Sequence, residues 1–81
     1  MPSDKEMNVQ LGRFIKKERE ELGVTVAQLA ENISENSDSV RRYESGHSPI
    51  SRYQLARILR SLERLEIAQF PVDFKEDGET R

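Results

Sequence analysis

The segment from residue 36 to residue 42 is rich in side chains that hydrogen-bond to the edges of bases. These are Asn36, Ser37, Ser39, Arg41 and Arg42. Asn pairs with adenine, Arg pairs with guanine, and Ser contacts either bases or phosphates. If Val40 and Tyr43 form the inner face of a short helix, the polar side chains point outward together. The segment therefore predicts a surface that reads duplex DNA, and an ordinary solvated surface is the alternative interpretation.

The residues around this segment match a helix-turn-helix layout. An apolar-patterned stretch, 26–33, is followed by a polar break at 34–36 and by a second helical stretch, 37–45, that stops at Gly46. Two helices of about eight residues joined by three or four residues are typical of that motif. Its second helix fits the major groove of B-DNA.

Local signals predict where these two helices begin and which faces they bury. Thr25 is a good N-cap for the first helix, and Gln28 completes a capping box with it. Asn36 or Ser34 can cap the second helix. The inner residues are Leu29, Ala30 and Ile33 in the first helix and Val40 and Tyr43 in the second.

Two longer helices are predicted on either side of the motif. One runs from about Val9 to Leu22, and Gly23 follows it where a helix stop is expected. Its apolar stripe is formed by Leu11, Ile15 and Leu22, with Phe14 beside it. The other begins after its N-cap Ser51, and its apolar face consists of Leu55, Ile58, Leu59 and Leu62.

The two ends of the chain are less regular. Residues 1–8 are polar and contain Pro2, so we expect a loose arm there. Leu65 continues the pattern of the fourth helix, which could then reach Ile67.

The residues after Ile67 carry a competing signal. Phe70, Val72 and Phe74 alternate, which indicates a strand, and Pro71 restricts such a strand to an edge. Because one isolated strand is unstable, we expect it to pair with its own copy in a second subunit. Residues 75–81 are predicted to be disordered.

Length and composition limit the class of protein. Eighty-one residues make one small domain, which buries only about 60% of its unfolded surface and gains from a dimer interface. The chain has no Cys, no secretory signal and no membrane-length apolar run, so we expect a soluble cytoplasmic protein. The net charge is −2, but residues 10–65 hold ten Lys/Arg against eight Asp/Glu. Binding to a polyanion follows this local, mildly basic field, although it is weak.

These motifs resemble the Xre family of helix-turn-helix regulators, which includes the lambda-type phage repressors and Cro. The stretches that carry the resemblance are LGRFIKKERE ELG, LAENIS and VRRYESG, within residues 10–62. The resemblance implies an all-α, four-helix, lambda-repressor-like domain with a short C-terminal strand or helix extension. It also implies that Arg19 and Glu44 form a buried structural ion pair and that Ala30 permits a close helix crossing.

The same resemblance implies which residues contact DNA. Ser37, Asp38 and Arg41 would face the floor of the groove, while Asn36 and Ser39 would lie nearer its walls. Arg42 either contacts DNA or pairs with Asp38. Contacts to the DNA backbone would come from Thr25, Gln28, His47, Ser48 and Arg52. For Thr25, capping alone is the competing explanation, and a lone His is more often an ordinary surface residue.

Three positions depart from the family pattern. Val26 replaces the usual Gln, and Ser34 and Glu35 replace a Gly and an apolar residue in the turn. Ser in a left-handed conformation is strained by about 1 kcal/mol. We expect Glu35 to hold the turn more open, and Glu35 and Asp38 to place two acids where phosphates would approach.

No pattern indicates catalysis. The single His has no nucleophile or ligand cluster at a recognisable spacing, so we expect no enzyme activity, no metal and no cofactor. The expected organisation is a flexible arm (1–8), a helix-turn-helix DNA-binding domain (9–64), a dimerisation extension (65–74) and a disordered tail (75–81). The dimer contacts are assigned to Leu62, Leu65, Ile67, Phe70, Val72 and Phe74.

We therefore expect a bacterial or phage-encoded DNA-binding regulator. It would bind a near-palindromic operator as a homodimer and act as a repressor. One alternative is an antitoxin that autoregulates and binds a toxin, since the ending ILRSLERLEIAQFPVDF resembles that of HipB-type antitoxins. The other is a protein-interaction module that has lost DNA binding, which the net acidity favours.

Overall fold

The computed structural model describes residues 3–69 and folds them into four α-helices. The helices are α1 (Asp4–Glu21), α2 (Val26–Asn32), α3 (Ser37–Ser45) and α4 (Arg52–Ala68). The all-α prediction is confirmed. The predicted strand at 70–74 and the tail at 75–81 lie outside the described residues.

A polar side chain caps the start of each helix. The cap residues are Ser3, Thr25, Asn36 and Ser51. At the start of α3 the side-chain Oδ1 of Asn36 accepts a hydrogen bond of 2.8 Å from the backbone N–H of Ser39, so Asn36 rather than Ser34 is the cap. The capping box predicted for α2 is also present.

The start of α1 corrects the sequence analysis. The helix begins at Asp4, not near Val9, so the prediction of a loose arm through residue 8 is wrong. Ser3 and Glu6 form a capping box, with hydrogen bonds of 3.1 and 3.0 Å between side chain and backbone. Asp4 and Glu6 also lie in the first turn, where negative charge is stabilised by the helix dipole.

The core lies where the four helices meet. Its buried apolar residues are Ile15, Val24, Leu29, Ala30, Ile33, Val40, Ile50, Ile58 and Leu62. Most of these were predicted from helical periodicity, but Val24 and Ile50 lie in the connections between helices. Leu59 was predicted for the apolar face of the fourth helix but is 37% exposed, because no other described helix covers it. Phe14, predicted beside the stripe of α1, is 44% exposed.

Gly12 allows α1 to approach α3 closely. A Cβ atom at this position would lie 2.6 Å from the carbonyl oxygen of Glu44 and closer still to that of Tyr43. Both atoms belong to the backbone, so they cannot rotate away. The contact fixes the end of α3 against the middle of α1.

Helix α4 continues past the predicted domain boundary. Leu65 lies within the helix, half-buried against the core, and the helix ends at Ala68. Gln69 then donates a hydrogen bond of 2.7 Å to the carbonyl of Leu22 at the end of α1. Leu62 is only 3% exposed, so its assignment to a dimer interface is wrong: it is part of the core.

Candidate nucleic-acid interface

The turn between α2 and α3 is built around Ser34. Its φ of 60° lies in the left-handed region, as expected for the position where the family pattern has Gly. The backbone N–H of Glu35 then bonds to the carbonyl of Ala30 at 2.8 Å, which reverses the chain toward α3.

Glu35 closes this turn instead of opening it, so the expectation of an open turn is wrong. Its carboxylate is half-buried and accepts a hydrogen bond from the Tyr43 hydroxyl at 3.0 Å. The side-chain amide of Gln54 also donates to Glu35, and its Nε2 lies 3.0 Å from the Tyr43 oxygen. The three polar side chains satisfy one another, which makes partial burial of a carboxylate tolerable.

The environment of Tyr43 keeps it in the neutral, hydrogen-donating form. Burial raises the pKa of its hydroxyl, and the hydrogen bond to the Glu35 carboxylate raises it further. Because the pKa is raised, the stability that the neutral Tyr43 hydroxyl contributes is fully present below the normal tyrosine pKa. It is lost only as the pH rises above that value.

Arg57 of α4 supports the same turn from the other side. Its Nη2 donates to the carbonyl of Ile33, the last residue before the turn, at 2.6 Å. Its Nη1 lies 3.3 Å from the Gln54 side-chain oxygen. The polar turn network, comprising Glu35, Tyr43, Gln54 and Arg57, therefore ties α4 to both helices of the motif.

The predicted ion pair between Arg19 and Glu44 is present. Arg19 Nε and Nη2 donate to the two carboxylate oxygens of Glu44 at 2.6 and 3.1 Å, and Nη1 donates to the carbonyl of Val24 at 2.8 Å. The two side chains are 9% and 7% exposed. The hydrogen bond to Glu44 raises the pKa of Arg19, so the guanidinium stays charged well above neutral pH. It joins the end of α3 to α1.

The outer face of α3 carries the polar residues that the sequence analysis selected. Asn36, Asp38, Arg41 and Arg42 are exposed, while Ser37 and Ser39 are half-buried. Asp38 pairs with Arg41, not with Arg42, at 3.2 Å. Asp38 and Glu35 are the two acids expected to repel phosphates, and each has a hydrogen-bond partner, Arg41 and Tyr43 respectively.

The residues predicted to contact the DNA backbone lie at the ends of neighbouring helices, and all of them are exposed or half-buried. Thr25 and Gln28 begin α2, and each uses its side-chain oxygen in the capping box. The side-chain nitrogen of Gln28 and the O–H of Thr25 therefore remain able to donate to a phosphate. His47 and Ser48 follow α3, where Nδ1 of His47 lies 2.7 Å from the Ser45 hydroxyl. Arg52 is the exposed first residue of α4.

The comparison with family models decides the class of domain. The model of a helix-turn-helix domain matches residues 10–67, which is more than half of the chain. The chain belongs to this family. Comparisons with curated proteins and with solved structures found no match. A helix-turn-helix domain suggests a regulator that binds double-stranded DNA.

The local sequence pattern does not predict three residues that hold the helix-turn-helix motif in place. Gln54 and Arg57 make their contacts over 19 and 24 residues of sequence, so no local pattern indicates them. Gly12 does leave a signal, because a Gly inside a strongly periodic helix usually marks a close packing contact.

Within residues 3–69, no group of His, Cys, Asp and Glu side chains is arranged to hold a metal ion. No helix in that range is both long and apolar enough to cross a membrane.

Proposed function

We propose that this protein is a sequence-specific transcriptional repressor of the Xre type, which binds a near-palindromic operator as a homodimer. The observation that supports it is the outer face of α3: four exposed polar residues on a helix fixed at its C-terminal end by a buried ion pair. In this proposal α3 enters the major groove and α2 crosses the backbone, with half-sites about 34–36 Å apart. The domain acts by binding, without catalysis, in the cytoplasm of a bacterium or phage-infected cell.

The charge arrangement supports an approach to DNA. Arg41, Arg42 and Arg52 are exposed on α3 and at the start of α4. Asp38 is paired with Arg41, and Glu35 is held in the polar turn network. The acids nearest the recognition surface therefore repel phosphate less than their number in the sequence suggests.

The test is binding to random duplex DNA over a range of salt concentrations. A DNA-binding domain shows a logarithm of affinity that falls linearly with the logarithm of salt, with a slope of about −0.9 for each phosphate neutralised. Absence of binding even at low salt would contradict the proposal and support an interaction module that has lost DNA binding.

Arg41 provides the first prediction for specific binding. We expect Arg41→Ala to weaken operator binding by about 1–3 kcal/mol and to relax the base preference at one position in each half-site, because a bidentate contact to guanine is lost. The measurement is a gel-shift titration against an operator selected from a random duplex pool and against its single-base variants. Arg13→Ala is the matched control, since Arg13 is also exposed but lies on α1. Equal losses for both variants would contradict the docking.

The homodimer is proposed to form through the C-terminal half of α4. Leu59 and Ile67 are 37% and 53% exposed and lie two turns apart on the helix. An antiparallel crossing of two α4 helices would bring Leu59 of one subunit to Ile67 of the other. Such pairing buries the apolar side chains. Leu65, Phe70, Val72 and Phe74 remain further candidates for this interface.

The dimer prediction concerns Ile67. We expect Ile67→Glu to give a monomer by analytical ultracentrifugation and to lower operator affinity by at least about tenfold, because two half-sites no longer share one binding event. Met7→Glu is the control, since Met7 is similarly exposed at 45% but lies on α1. A wild-type monomer, or an Ile67→Glu dimer of normal strength, would contradict this interface.

An antitoxin role is the second candidate. The resemblance of residues 58–74 to the end of HipB-type antitoxins favours it. The test is co-expression with the product of the adjacent open reading frame: rescue of growth and co-purification support an antitoxin, and their absence leaves a free-standing regulator.

A further inference from the structure

One pair of side chains on the recognition helix combines a cation with an acid at the centre of its exposed face. Nη1 of Arg41 and Oδ1 of Asp38 lie 3.2 Å apart, and the two side chains are 64% and 84% exposed. Pairs this exposed add little to stability. An acid on a surface that meets phosphates also weakens non-specific binding, so its presence there calls for a role in discrimination.

The geometry leaves both side chains with unused hydrogen-bonding capacity. Arg41 spends one Nη1–H on Asp38, so its Nη2 and Nε groups keep the fork that matches O6 and N7 of guanine. Asp38 uses Oδ1, so Oδ2 can accept a further hydrogen bond. The ion pair also restricts the Arg41 side chain before DNA arrives, which lowers the entropy lost on binding.

The spacing places the two groups over neighbouring base pairs. Three residues of helix advance the chain by about 4.5 Å, close to the rise of about 3.4 Å between base pairs. The base that suits a free carboxylate oxygen is cytosine, which offers its N4 amino group as a donor. Adenine also offers an amino group, but its N7 acceptor lies beside it and repels a carboxylate.

We propose that Asp38 and Arg41 form one reading unit that selects a guanine and an adjacent cytosine in each half-site. The inference rests on the proposed DNA-binding function and adds the base preference of the site. Arg41 supplies the contact to guanine. Asp38 both positions Arg41 and discriminates at the neighbouring base pair.

The experiment is selection of bound sequences from a random duplex pool with the full-length protein and three variants. We expect the wild type to enrich guanine next to cytosine in each half-site. Asp38→Asn should keep the guanine but replace cytosine by adenine, because Asn pairs with both N6 and N7 of adenine. Asp38→Ala should lose the cytosine preference without gaining adenine. Glu21→Gln, an exposed charge change on α1, should leave the selected sequence unchanged.

Competition gel shifts give the size of the effect. We expect the wild type to prefer cytosine over adenine at the second position by about tenfold and Asp38→Asn to reverse that order. A wild type that enriches a defined sequence without this pair, or an Asp38→Asn variant that selects the same bases as the wild type, overturns the reading unit but not the DNA-binding function. A wild type that enriches no sequence overturns both.

Discussion

Replacing Gly12 by alanine is expected to destabilise the domain by about 3 kcal/mol, because the added methyl group overpacks a rigid contact. The new Cβ would lie 2.6 Å from the carbonyl oxygen of Glu44, so α1 and α3 must separate. Intrinsic helix propensity predicts the opposite sign, since alanine favours a helix by about 1 kcal/mol over glycine. The measurement is urea denaturation followed by circular dichroism.

Gly23→Ala separates this packing effect from backbone strain. Gly23 has a φ of 71°, but apart from its two chain neighbours no residue has an atom within 4 Å of the position that an added methyl group would occupy. Its substitution should therefore cost only the left-handed penalty of about 1–2 kcal/mol. An unfolding free energy for Gly12→Ala equal to or above that of the wild type would contradict the close approach of α1 to α3.

Removing either partner of the Arg19–Glu44 ion pair is expected to cost about 3–5 kcal/mol, since an uncompensated charge remains buried. Arg19→Ala should be more harmful than Glu44→Ala, because it also removes the donor to the carbonyl of Val24. The double change Arg19→Met with Glu44→Leu should recover part of the loss, as expected for a buried pair replaced by apolar residues.

Thermal unfolding of the three variants measures these differences. For a domain of this size, 1 kcal/mol shifts Tm by about 4–8 °C. Because the pKa of Arg19 is raised, its contribution to stability persists until the pH exceeds the pKa of a free guanidinium. The loss of stability in each single variant should therefore be the same at pH 7 and at about pH 10. Small and equal effects of all three variants would show that the pair is not buried.

The parts of the fold that sequence predicted are those with local causes. The boundaries of α2 and α3 follow from Thr25, Asn36 and Gly46, whose cap and left-handed roles depend only on nearby backbone. The inner faces follow from helical periodicity. The start of α1 is harder to predict because residues 1–8 are polar and contain Pro2, which favours an arm, although the Ser3–Glu6 capping box lies in the same residues.

The parts that sequence did not predict depend on contacts between distant residues. Periodicity marks Leu59 and Leu62 alike, but only Leu62 is covered by other helices. Asp38 has two arginines within one turn, and the rotamers, not the spacing, select Arg41. The polar turn network could not be anticipated, because it requires knowing that Gln54 lies against Tyr43.

That network also limits how the sequence can change over time. Substituting leucine for Glu35 alone would leave the Tyr43 hydroxyl and the Gln54 amide without their shared acceptor. Substituting Tyr43 or Gln54 alone would leave a half-buried carboxylate with fewer donors. The three positions are therefore expected to covary among relatives, and an apolar residue at position 35 requires compensating changes on α3 and α4. In a set of homologous sequences, residues 35, 43 and 54 should exchange as a group.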